Sequence, residues 1–543
     1  MKRSDYTFRG WVLCLMTVGG VIGLGVMPTV ELFGMQLRSV DIFSSLRPEA
    51  EEVVEYEADI ERLEQELAEL SQQPEVIIEV DTLPEPVPVR YEWILGKAAE
   101  RNAARLTSAR VMPDTSRRIV AIEDFDTLSD TRFERFVQRL AAGEDVRIAF
   151  MGDSFVEGDI LTSDLRAELQ AIFGGRGVGF VACDIPFATV RHTVKRSSNG
   201  WSSYSVMKPK ATPEALRDKF FISGYIANGG SGATTRWQST NAFETLDSCT
   251  RGRIFLLSRD SSRVEVSVND SLRHEFDIAG DERVREIYVE APMESLRLKV
   301  LNGSVLCYGV SLEGDGGVQV DNFSVRSNNG HAIFGTGAQI NRQIDEMVGY
   351  DLVVLQYGLN IMQPGQRAFS NYRDQLRNMI AYAERCFPNA AILVLGVSDR
   401  WVKNEESGSY EPIGSVDALT SYQRAAADSC GVAFWNTSQA MAELGGMPKF
   451  VSNGWAAKDY THINFRGGSR IAKALSAAIR EPVYQILVAE EIEIERRREA
   501  QRQRELLREQ YIEERINVVT TLFDSVAIQR EEVAPIVIES LEE

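Results

Sequence analysis

Four short stretches, far apart in the 543-residue chain, carry side chains that could do acyl chemistry together. In Val146-Arg-Ile-Ala-Phe-Met-Gly-Asp-Ser154 an apolar run reads as a buried strand, Gly152 permits a sharp turn, and Ser154 follows at its end. Thr162 to Phe173 has helical apolar spacing and is expected to open at Thr162 or Ser163. A hydroxyl at such a strand-to-helix junction is held on the rim of a sheet, near helix N–H groups that stabilise negative charge. Gly-Asp-Ser alone is an ordinary turn tripeptide, so its chemical reading depends on the other three stretches. Leu352 to Leu355 is a second buried run, ending in Gln356-Tyr-Gly-Leu-Asn360, which sets an amide at the carboxyl end of a strand, where open α/β sheets gather ligands. Of the four histidines, His192, His274, His331 and His462, only the last has a carboxylate three residues before it, Asp459. That spacing lets the carboxylate orient the imidazole while the other ring nitrogen takes a proton. Ser327-Asn-Asn-Gly330 is a loop whose glycine can bring its N–H close to a substrate.

In chain order these blocks resemble the SGNH (GDSL) hydrolases, a family named for its Ser, Gly, Asn and His. The resemblance covers residues 146–184 and 318–480. It implies a three-layer α/β/α fold around a parallel sheet. Ser154 would be the nucleophile, Gly330 and Asn360 would join the Ser154 N–H in an oxyanion hole, and Asp459 and His462 would complete the triad. No cofactor and no metal are implied. Ile361 stands where the family often carries Asp. The Gly-x-Ser-x-Gly elbow of ordinary α/β-hydrolases is missing around Ser154, which argues against that fold.

The elements that must position these residues occupy only part of the chain, whose length predicts two folded domains plus extensions. The net charge of -20 is concentrated: residues 49–85 hold 14 acidic residues and one base, Arg62. The remainder is mildly acidic and shows no concentrated basic face, which excludes nucleic acid as a partner. Six cysteines show no C-x-x-C spacing, so no structural zinc site is expected. Cys249 with Cys307 is one candidate bridge, and buried free thiols are the alternative.

Trp11 to Val30 carries no charge across twenty residues, and Lys2, Arg3 and Arg9 precede it against Asp5. This predicts a transmembrane anchor with a cytoplasmic stub (1–34) and an exported remainder, with a cleaved signal peptide as the competing reading. Residues 35–90 form an acidic tether in which Val53, Tyr56, Ile60, Leu63, Leu67 and Leu70 trace a short heptad seam. That seam (residues 53–70) suits a basic protein partner or this protein's own body. Pro74, Pro84, Pro86 and Pro88 make a stiff spacer.

Residues 91–204 are assigned to the first part of the hydrolase domain, with helices expected from Tyr91 to Val146, and residues 314–482 to its second part. Between them, residues 205–313 alternate in the manner of an antiparallel β-sandwich. Such an insertion resembles the arrangement of bacterial peptidoglycan O-acetylesterases, whose inserted module is similar to carbohydrate-binding domains. Trp201, Tyr204, Tyr225 and Trp237 could stack on sugar rings, although most sandwich aromatics are core. The glycine-rich run from Phe173 to Phe180 follows a helix and lacks G-x-G-x-x-G spacing, so it is not a dinucleotide loop. Residues 483–543 read as a charged helical extension. The expectation is a membrane-anchored, extracytoplasmic serine esterase acting on an acetylated glycan. Transfer of the acetyl group to a sugar hydroxyl, or a glycan-binding scaffold without catalysis, are the rival readings.

Overall fold

The computed structural model describes residues 30–32, 35–37, 83, 86–96, 106–187, 191–240, 249–404 and 406–531. The chain divides into two units, Met1–Gln73 and Pro74–Glu543. In the first, Val30–Leu32 pairs antiparallel with Met35–Leu37, so Val30, expected to end a membrane span, begins a strand. The rest of the uncharged stretch and the seam at 53–70 lie outside the described residues. Among the described residues, no helix is long and apolar enough to cross a membrane.

The second unit is built on a six-stranded sheet of β1 (Glu123–Asp124), β2 (Val146–Gly152), β3 (Val318–Ser324), β4 (Leu352–Gln356), β5 (Ala391–Leu395) and β6 (Ala433–Trp435). The order is β3-β2-β4-β5-β6-β1; every neighbour is parallel except β1, which closes the edge antiparallel to β6. Period-2 alternation explains why β2 is buried along its whole length. Ile148 and Phe150 face helices α1 (Arg132–Ala142), α2 (Thr162–Phe173) and the first turns of α6 (Phe465–Glu531). Ala149 and Met151 face α3 (Ala338–Val348) and α4 (Ser370–Cys386), with Ala426 and Ala427 of α5 (Val416–Cys430) in the same cluster. Strand order reverses between β2 and β4, and the carboxyl ends of the strands flanking such a switch point form a crevice.

Two local expectations change. Helix α2 does start at Thr162, but its N-cap is Leu161 and no side chain caps it. A turn and a single 3-10 turn (Glu157–Asp159) separate Ser154 from α2, so the α2 N-terminus does not follow directly on the serine. At the other end, the charged helical extension expected from residue 483 does not begin there: it continues across Pro482 from a helix that starts at Phe465, and the whole is α6. A mid-helix proline costs about 3 kcal/mol; complete burial of Ile479 and Val483 on either side of it offsets that cost.

The insertion is a ten-stranded sheet folded over on itself. Tyr225–Ser239 is the hinge of this arrangement: Val194–Ser205 follows it on one edge, while its other edge pairs first with Ser304–Glu313 and then with Ser295–Asn302. The two layers close on a shared core of Val264, Val266 and Leu298 against Ile254, Leu256 and Val289. This is the expected sandwich, drawn from more of the chain than residues 205–313. Gly179–Ala182 pairs with Ser304–Glu313. Val89–Ile94, in a region expected to be helical, runs parallel to Arg285–Met293. Its alternating Val89, Tyr91 and Trp93 suit a strand better than a helix.

The sandwich and the six-stranded sheet also share a core. Phe180, Phe221 and Tyr308 cluster with Met151, Phe323 and Leu355. Beside them the buried Arg147 donates to Asp321 at 2.9 Å and bonds Glu313 of the insertion. The glycines of the Phe173–Phe180 run serve this junction: a Cβ at Gly175 would lie 2.5 Å from the Val318 carbonyl oxygen, and Gly175 has a φ of 113°. Cys249 and Cys307 are both buried outside any disulfide, so the candidate bridge is not formed. Strand pairing sets Cys307 opposite Leu256, seven residues along from Cys249, which is roughly 20 Å and far beyond disulfide reach. Of the four aromatics considered for sugar stacking, Trp237 and Tyr225 are core, and Trp201 and Tyr204 are half-buried.

Candidate active site

Ser154, Gly330 and Asn360 follow β2, β3 and β4, at the carboxyl ends that flank the switch point. Ser154 is half-buried in the turn directly after Asp153. Asp153 is completely buried, and its carboxylate turns back to accept the Phe155 N–H at 2.9 Å. The Asn360 side-chain amide donates to the Asn328 carbonyl oxygen at 3.1 Å and lies 3.5 Å from the Asp153 carboxylate. One amide thus ties the serine turn to the Ser327–Gly330 loop. Gly330 has a φ of 96°, and a Cβ there would overlap the Met379 methyl at 2.3 Å, so both conformation and space demand glycine. Its N–H is donated to Asn328 Oδ1 at 2.8 Å.

Asp459 and His462 lie on the loop entering α6. His462 Nδ1 is 2.6 Å from Asp459 Oδ2, and the other carboxylate oxygen accepts the N–H groups of Thr461 at 2.9 Å and His462 at 3.0 Å. Partial burial works to raise the Asp459 carboxyl, but the hydrogen bond and charge of His462 outweigh it and hold it below the ordinary range. The loop is braced by Tyr460, which stacks on Tyr410 at 4.0 Å between centroids and takes the left-handed region with a φ of 56°. Asn464 then caps α6, accepting from Arg466 N–H at 3.0 Å.

Two observations bring the histidine loop to the serine turn. A Cβ on Gly468, in the first turn of α6, would come within 1.8 Å of the Ile160 carbonyl oxygen, so that helix is seated directly on the segment that follows Ser154. The charge of His462 is also felt at Asp153. Burial pushes the Asp153 carboxyl up to about 7, against the opposing pull of the Phe155 N–H and the His462 imidazole. The other three histidine rings pack on aromatics: His192 on Phe465, His274 on Trp93 and His331 on Phe334.

A supporting residue that sequence reasoning missed is Asp159. It is fully buried with a φ of 70°. Its oxygens accept from Thr193 Oγ at 2.6 Å, Arg191 at 2.7 Å, Thr162 Oγ at 2.8 Å and Asn322 at 3.1 Å, and Arg166 lies 3.3 Å away. Burial alone would raise this carboxyl, but Arg166 and Arg191 hold it far below the usual range. Its partners come from α2, β3 and the insertion, so nothing local in the sequence marks it. Asp153 was legible only as part of Gly-Asp-Ser, because its partner Asn360 comes from another strand end. Among the described residues, no group of three or more His, Cys, Asp or Glu side chains could hold a metal ion.

No family model matches the chain, and no curated protein does. A solved structure described as "Peptidoglycan O-acetylesterase in action, 5 min" superposes with a TM-score of 0.55 at 22% identity, covering 67% of this chain and 99% of that one. The chain has the fold of a solved peptidoglycan O-acetylesterase. The resemblance read from the four blocks is thus matched by a resemblance of architecture. A family two carbohydrate esterase from Cellvibrio japonicus aligns with a TM-score of 0.23 at 10% identity, over 54% of this chain and 98% of that one. A lipase/acylhydrolase from Enterococcus faecalis gives 0.23 at 13%, over 30% and 76%. Likenesses of that size carry no weight.

Proposed function

We propose that this protein is a serine esterase that removes O-acetyl groups from a cell-wall or other polysaccharide. The observation that carries the reading is the 2.6 Å bond between His462 Nδ1 and Asp459 Oδ2, on a loop whose following helix is seated on the segment after Ser154. Asp459 fixes the tautomer that leaves His462 Nε2 as proton acceptor. Ser154 Oγ attacks the acetyl carbonyl carbon as its proton passes to Nε2. The tetrahedral oxyanion takes donors from the Asn360 amide and the Ser154 N–H, joined by the Gly330 N–H once it leaves Asn328. Collapse expels the sugar hydroxyl, protonated by His462, and leaves acetyl-Ser154. Water then attacks the acetyl group, its proton goes to His462, and acetate departs as Ser154 recovers its hydrogen. The peptidoglycan activity in the name of the structural neighbour supports an acetylated glycan as substrate; a sugar hydroxyl in place of water would make the same acyl-enzyme a transferase.

The uncharged stretch after a positive N-terminus supports membrane attachment with the catalytic unit outside the cytoplasm. A reporter fused after Arg90 is then expected to be active only on the far side of the membrane. The chemical test measures acetate released from O-acetylated peptidoglycan and from an aryl acetate by the full-length chain. Ser154→Ala and His462→Ala are each expected to remove nearly all hydrolysis, and the double variant to be scarcely worse, because such residues work as a unit. Activity that survives Ser154→Ala in folded protein would overturn the assignment.

A further inference from the structure

A cavity of about 120 Å³ lies between the segment following Ser154 and the insertion, lined by Glu157, Asp159, Arg191, Arg196, Tyr225 and Ser324 among others. Its charged groups are nearly all committed. Arg191 is bonded to Asp159 at 2.7 Å, and Glu157 is paired with Arg326 at 2.7 Å. Nearby, Asp184 accepts the hydroxyls of Ser198 at 2.6 Å and Ser203 at 2.5 Å. Arg196 differs. It stands on the inward side of Val194–Ser205, two residues from Val194, which lines the same cavity. Among the described residues its guanidinium has no hydrogen bond or ion pair, and it feels Asp184, Cys183 and Tyr225 only through their charge. Burial pulls its pKa down, the mark of a cation partly stripped of water.

We propose that Arg196 makes this cavity a binding site for the carboxylate of an acidic sugar, so that the insertion selects acidic glycan beside the catalytic serine. A guanidinium offers two parallel N–H donors that match a carboxylate. Tyr225 and the hydroxyls of Ser223 and Ser324 line the same cavity and can take up sugar hydroxyls. Asp159 is shared by Arg191 and Arg166, and Asp184 acts on Arg196 only through its charge, so the small excess of positive charge suits a monoanion better than a doubly charged phosphate. The cavity and Ser154 share one loop, since Glu157 is three residues beyond the serine. The proposal rests on the esterase reading for its role in substrate choice, but its binding chemistry can be measured without catalysis.

The test is equilibrium binding to the full-length chain of N-acetylmuramate and glucuronate, each against its uncharged counterpart, N-acetylglucosamine and glucose. The wild type is expected to prefer the acids by roughly ten- to a hundredfold, the size of a hydrogen bond to a charged group. Arg196→Gln should erase that preference, and Arg196→Lys should keep part of it, with melting curves confirming that both variants fold. A preference for one acid only would name the source of the carboxylate. Equal binding of acid and neutral sugars by the wild type, or a preference that survives Arg196→Gln, would overturn the proposal. Aryl acetate hydrolysis by the wild type, run alongside, separates the two readings: its absence counts against the esterase and leaves the binding result to stand.

Discussion

Asp153 shows what a single buried carboxyl imposes on its surroundings. Its pKa is pushed up to about 7 by burial, so the folded state holds this proton more tightly than the unfolded chain does. The stability that follows is fully present below the ordinary carboxylate pKa and is lost as pH rises through 7. Asp345, also raised to about 7 by burial, acts with the same sign. Asp153→Asn removes its own contribution and leaves that of Asp345. Its melting temperature relative to wild type is therefore expected to be higher at pH 8 than at pH 5, and an offset that does not change with pH would contradict this. Asn360→Ala spares Ser154, His462 and Asp459 but deletes a donor, so turnover of an acetyl ester should fall by about a hundredfold to a thousandfold, with KM little changed. At this scale the sequence exposed what is local: the three-residue spacing of Asp459 and His462 became a hydrogen bond. It hid the contacts of Asn360, because Asp153 and Asn328 reach it from the ends of two other strands.

The segment between Ser154 and α2 is an element in its own right, held by Asp159 in place of a helix cap. Periodicity located the start of α2 but implied a Ser or Thr cap, since the residues that fix Asp159 are distant in sequence. Asp159→Asn leaves Arg166 and Arg191 without their shared carboxylate. It should cost about 3 to 5 kcal/mol in urea unfolding, the usual penalty for breaking a buried ion pair, and lower activity as well. A variant as stable as wild type would show that the cluster does not anchor the segment. The contact on the opposite side is steric. Gly468→Ala would force α6 away from the Ile160 carbonyl oxygen and carry the Asp459–His462 loop with it. The expected result is a fall in turnover larger than the loss in melting temperature would explain.

For the whole molecule, the alternating runs of the insertion were readable, whereas its limits were not, because Val89–Ile94 and Gly179–Ala182 belong to a sheet whose other strands lie far along the chain. The aromatic core and the Arg147 cluster join that sheet to the six-stranded sheet. Removing residues 210–305 is therefore expected to abolish folding, seen as loss of a cooperative melt, and not merely to weaken action on polymer. A truncated protein that melts cooperatively would show that the two cores are separable. The pairing of Val89–Ile94 has a consequence for synthesis. Val89 faces Arg285, and β2 reaches its neighbour β3 only when Val318 has been made. Each early strand must therefore wait, as an open edge, for a partner encoded much later, and closing such long loops is slow. Most of the polypeptide has to be complete before Ser154, Asn360 and His462 can meet, so a chain interrupted midway yields an aggregation-prone fragment.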